Sequence, residues 1–85
     1  MHYYVYILYS EIANRYYIGS TSNTEERIHR HNAGATPSTK NGRLWKIAYT
    51  EICESKTEAL KREIYLKRMK SRVYLENLIR SKELK

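Results

Sequence analysis

The sequence holds a single cysteine, one proline, three glycines and no phenylalanine in 85 residues. One cysteine excludes an intrachain disulfide, and without Cys and His gathered at set spacings there is nothing to build a structural zinc site. Cys53 lies in an apolar segment and reads as a small packing residue. Scarce Gly and Pro exclude a linker-rich or low-complexity chain. The apolar run from Tyr3 to Tyr9 is too short for a signal peptide or a membrane span, so a cytoplasmic protein is expected. Acidic residues are also few: nine Asp and Glu stand against sixteen Lys and Arg, a net charge of +7.

What is present is tyrosine and positive charge. Nine tyrosines and one tryptophan supply the aromatic surface, and most of them are expected to pack, with two or three left for function. A chain of this length is one domain, residues 1–85, and buries roughly 60–65% of the surface its unfolded form would expose. The excess charge is local. Residues 56–85 carry ten Lys and Arg against four Glu, so this third alone has a net charge of +6. Such a patch attracts a phosphate chain with a strong dependence on salt; its ordinary alternative is a solvated helix face.

Periodicity and end signals predict six elements. Tyr3 to Tyr9 and Arg15 to Ser20 read as two strands joined by a loop at Ser10 to Asn14, paired antiparallel. Gly19 leaves room there for a close approach. Asn23, followed three places on by Glu26, caps a helix that carries Arg27, Ile28 and His31 and stops near Asn32-Ala33-Gly34. Arg27 and His31, four apart, share one face. Residues 35–43 read as a loop and Leu44 to Ile52 as a third strand. Ser55 and Glu58 form a capping box for a helix to about Met69, and Ser71 caps another from Arg72 to about Ser81. In the first of these two helices Ala59, Leu60, Ile64 and Leu66 form the apolar stripe. Glu63 falls beside it, either as a partly desolvated acid or as a rim residue paired with Lys67. His2 and His29 read as surface residues.

These residues resemble the GIY-YIG nuclease superfamily, in particular its small single-domain bacterial members, related to the N-terminal nuclease domain of the excinuclease incision subunit. Tyr4-Val5-Tyr6 stands at the first motif and Tyr17-Ile18-Gly19 at the second, separated by ten residues. The helix with Arg27 and His31 follows, then the run Thr39-Lys40-Asn41-Gly42-Arg43-Leu44-Trp45-Lys46-Ile47, then Ala59-Leu60-Lys61-Arg62-Glu63. The resemblance covers about Tyr3 to Leu75. It departs from the pattern at Tyr4, which replaces a glycine, and at Ser20, where some relatives carry a lysine whose part Lys40 is a candidate to take. Asn77 is a weaker candidate for a supporting polar residue.

The resemblance implies an α/β fold, a three-stranded antiparallel sheet flanked by helices in the order β-β-α-β-α-α, and a Mg²⁺- or Mn²⁺-dependent endonuclease acting on DNA, with a link to DNA repair. Phosphodiester hydrolysis needs an activated water, neutralised phosphoryl oxygens and a stabilised leaving oxygen. Arg27 is the candidate for the phosphoryl oxygens, being permanently charged and forked. Glu63 is the candidate metal ligand, since hydrated Mg²⁺ takes one or two protein oxygens and keeps its waters. By resemblance Tyr6 is the general base with His31 beside it, and Tyr17 positions water or phosphate; the two tyrosines are open to exchange. Lys40, Arg43, Lys67, Lys70 and Arg72 read as phosphate-backbone contacts. No small-molecule cofactor beyond the metal is expected, and sequence preference should be low. The second reading is a nucleic-acid-binding module with little or no cleavage. A protein-interaction domain, the third, leaves the five-residue constellation unexplained.

Overall fold

The computed structural model describes residues 2–34, 39 and 44–83. Its elements are β1 (Tyr3–Ser10), β2 (Arg15–Thr21), α1 (Thr24–Asn32), β3 (Lys46–Cys53), α2 (Lys56–Met69) and α3 (Arg72–Glu83). This is the expected order, and the three strands form one antiparallel sheet in the order β2-β1-β3. The hairpin between β1 and β2 closes at Asn14, whose φ of 52° is one that Asn tolerates. The pairing of β1 with β3 slips between Ile7 and Leu8, which face Tyr49 and Ile47 and leave Ala48 as the extra residue of a bulge.

Alternation along β1 builds two cores. Val5 and Ile7 point to one face, where they meet Ile18, Ala59, Leu66 and Leu75 under α2 and α3. Tyr6 and Leu8 point to the other, with Trp45 and the partly buried Tyr17 and Ile28 under α1. Every residue from Val5 to Leu8 is at most 2% exposed, as expected for a central strand covered on both sides.

Two local readings change. The third strand begins at Lys46 rather than Leu44, because Leu44 has a φ of 78° and the backbone of Leu44 and Trp45 is taken by the Asn32 side chain. The stripe on α2 is also different. Ala59 and Leu66 are buried, but Leu60 and Ile64 are 42% and 49% exposed. Positions 59, 63 and 66 follow the i, i+4, i+7 line of one helix face, so Glu63 lies on the buried stripe and not at its edge. Arg62 binds Glu51 of β3 through Nε (3.0 Å) and Nη2 (3.3 Å), while Glu63 binds Ser20 of β2, so α2 is tied to both outer strands. The Ser55 cap is present, but the Glu58 carboxylate accepts from the Glu54 amide, one residue earlier than a capping box requires.

Candidate active site

Gly19 seats the site. It pairs directly with Tyr6 across the sheet, and the Tyr6 phenol lies over it. A Cβ at position 19 would stand 2.5 Å from the ring carbon Cζ and closer still to the hydroxyl. The close approach expected at this glycine is made by Tyr6 itself.

From that position the Tyr6 hydroxyl reaches His31 Nε2 at 3.1 Å. His31 Nδ1 lies 2.8 Å from Thr39 Oγ1, and the Thr39 carbonyl accepts from the Trp45 indole at 2.8 Å. Tyr6, His31 and Thr39 are each at most 2% exposed. With Nδ1–H donating to Thr39, Nε2 has its lone pair toward the phenol and accepts the Tyr6 proton. Tyr17 packs its ring against the imidazole, 4.8 Å between centroids, and lies 6.5 Å from the Tyr6 ring. Of the two phenols Tyr17 is the more exposed.

The electrostatics follow from this packing. Burial pushes the Tyr6 phenol up to about 12; Tyr17 and the Glu63 carboxylate add to the rise, and the Arg27 guanidinium opposes it. Burial, helped by Arg27 and Arg30, holds His31 below its ordinary value, which favours the neutral imidazole. Arg27 acts on both groups, as its place one turn before His31 on α1 requires.

Glu63 comes to the site from the opposite face of the sheet, past the edge strand β2. Its Oε1 accepts from Ser20 Oγ at 2.7 Å and its Oε2 from Lys67 Nζ at 2.6 Å. The side chain is 17% exposed. Its chemistry suits a hydrated divalent ion, with one hard oxygen donor open to exchange, because the Oε2 partner is a half-exposed lysine. Among the described residues no three His, Cys, Asp or Glu come together as a metal-binding group.

Of the five expected site residues, Tyr6, Tyr17, Arg27 and His31 come together on one face of the sheet; Glu63 lies on the other, bound to Ser20 of the β2 edge and felt by the Tyr6 phenol through its charge. Lys67, Lys70 and Arg72 lie around the turn from α2 to α3; Lys67 is paired with Glu63, and Arg72 with Asn14 and Glu76. Lys40 and Arg43 lie outside the described residues. Four further residues have a part here that their spacing did not announce. Ser20 and Thr39 bind Glu63 and His31, Asn32 binds the backbone of Trp45, and the Trp45 indole binds the Thr39 carbonyl. Thr39 and Trp45 belong to the 39–47 run that shares in the family resemblance, which is the one signal that pointed to them.

The sequence pattern of the GIY-YIG catalytic domain matches residues 2–77. The chain belongs to the GIY-YIG family. It is 41% identical over 83 residues to a UPF0213 protein of Clostridium perfringens, covering 96% of this chain and 87% of that one. It is 43% identical over 65 residues to a UPF0213 protein of Staphylococcus haemolyticus, covering 75% and 78%. The solution NMR structure of a UPF0213 protein from Bacillus halodurans superposes with a TM-score of 0.60 at 32% identity, over 96% of this chain and 86% of that one. No helix among the described residues is long and apolar enough to cross a membrane.

Proposed function

We propose that this GIY-YIG protein is a divalent-metal-dependent endonuclease that hydrolyses DNA phosphodiester bonds. The observation that carries the reading is the hydrogen bond between the Tyr6 hydroxyl and Nε2 of the buried His31, with Arg27 beside both. A phenol whose pKa is about 12 is a poor base alone. One that hands its proton to an imidazole at 3.1 Å can accept another from water. Tyr6 is then the general base, His31 its proton acceptor, and Thr39 the group that keeps Nε2 turned toward the phenol. Tyr17, more exposed and against the imidazole, positions the water or phosphate. Arg27 neutralises phosphoryl charge.

Glu63 would hold Mg²⁺ or Mn²⁺, which when bound supplies positive charge to the phosphate and its leaving oxygen. Ser20 orients the carboxylate, and Lys67 balances its charge. The basic third of the chain supplies the affinity for DNA.

The second reading, a DNA-binding module with little cleavage, is favoured by one feature: both Glu63 oxygens already have partners. Glu63→Gln separates the two. In the nuclease, Mg²⁺-dependent nicking of labelled DNA disappears while DNA binding holds or tightens, because one negative charge has gone. A variant that nicks like the wild type removes the metal assignment, and a wild-type protein that binds DNA and never nicks it leaves the second reading.

A further inference from the structure

Beside the candidate active site the molecule carries a groove of about 410 Å³, between the edge strand β2 and the turn from α2 to α3. The chemistry above makes no use of it. Its floor is apolar and aromatic, with Ile18, Leu66 and Leu75 at most 9% exposed and Tyr16 alongside. Its rim is cationic, made by Lys67, Lys70 and Arg72. Lys70 caps α2 with a φ of 47°, in the left-handed region, and so turns the chain around the groove. The Arg72 guanidinium is held over the Tyr16 ring at 5.3 Å by hydrogen bonds to the Asn14 carbonyl (2.9 Å) and Oδ1 (2.8 Å). The groove shares two lining residues with the candidate site. Tyr17 lines it and touches His31; Lys67 lines it and binds Glu63.

We propose that this groove receives one unstacked nucleobase of the bound strand, from a nucleotide next to the phosphate held at Tyr6 and Glu63. The placement beside that phosphate rests on the nuclease reading; the groove's fit to a nucleotide rests on its own chemistry. Its volume is within the roughly 300–1,000 Å³ of small-molecule pockets. A phosphate alone has no use for an apolar floor, and an uncharged apolar ligand has none for a ring of cations. A nucleotide has a flat π-face for the first and a charged backbone for the second, which is how single nucleotides are held on aromatic platforms within basic grooves. A paired base would have to leave its stack to enter.

Two measurements test the groove, and neither needs cleavage. In ¹⁵N NMR titrations of the Glu63→Gln protein, thymidine 5′-monophosphate should shift the amides of Tyr16, Ile18, Leu66 and Leu75, and 2-deoxyribose 5-phosphate should shift only those of the rim. Identical patterns for the two, or no shift on the floor, overturn the proposal. In the second, a single abasic residue is walked along an oligonucleotide, and affinity for the same variant should fall about 5- to 150-fold at one position. A flat profile along the strand also overturns it. Mg²⁺-dependent nicking of the unmodified strand by the wild type is scored separately. A flat abasic profile with normal nicking sinks the groove and leaves the nuclease, and a sharp profile without nicking does the reverse.

Discussion

At the scale of single residues, Tyr6 has two duties that one atom separates. Its ring fills the core under α1 and its hydroxyl meets His31. Tyr6→Phe keeps the ring and removes the hydroxyl. Its stability should fall by about one hydrogen bond, roughly 0.5–1.5 kcal/mol, and its cleavage rate by about 10²–10⁴. Tyr3→Phe and Tyr9→Phe, on the same strand, are the controls. A Tyr6→Phe protein with a normal melting curve and a normal rate would move the base to His31 or Tyr17. His31 carries a second forecast, in pH. Its folded pKa is depressed, chiefly by burial, so below about 6.5 the unfolded chain binds the proton first. The stability that neutral His31 contributes is whole above that pH and is lost as pH falls through the lowered folded value. Melting curves between pH 5 and 8 should therefore drop more steeply toward acid in the wild type than in His31→Gln.

At the scale of elements, the β1–β2 pair and α2 decide whether the groups meet at all. Tyr6 reaches His31 because its partner on β2 is a glycine, and Glu63 reaches the β2 edge because Ser20, the next residue, offers a hydroxyl. Gly19→Ala puts a methyl where the phenol lies. Tyr6 is 2% exposed and has no room to withdraw, so the ring or the strand must shift. The expected loss is about 1–3 kcal/mol, read by chemical denaturation, with cleavage reduced at least as far as in Tyr6→Phe. An active, undisturbed Gly19→Ala protein would mean that the phenol has another seat.

At the scale of the whole molecule, the +7 charge is unevenly spread. Lys67, Lys70 and Arg72 stand together around the α2–α3 turn next to the candidate site. Neutralising all three should weaken DNA binding by a similar factor on any sequence, and should flatten the salt dependence by about 0.9 in slope for each DNA phosphate that is no longer neutralised. Arg72 also holds the β1–β2 turn through Asn14, so melting curves must accompany the titration. An unchanged slope in a folded variant would make the charge a matter of solubility.

Taken by itself, the sequence determined the element order, the antiparallel hairpin, the caps at Asn23, Ser55 and Ser71, and the pairing of Arg27 with His31 on one helix face. These depend on local spacing and on side chains acting on their own backbone, so they can be read along the chain. It also held the Glu63–Lys67 pair, four residues apart on α2. Only the tertiary structure decided which face of α2 is buried, since Leu60 and Ile64 are as apolar as Leu66 and differ from it only in what they pack against. It alone gave His31 a partner on each nitrogen, because Tyr6 lies 25 residues away and Thr39 eight, in a segment without helix or strand periodicity. The Ser20–Glu63 bond spans 43 residues, and Gly19 became the seat for Tyr6 through strand register. Bonds across such separations are made by the packing of the sheet against its helices, and no periodicity in the sequence encodes them.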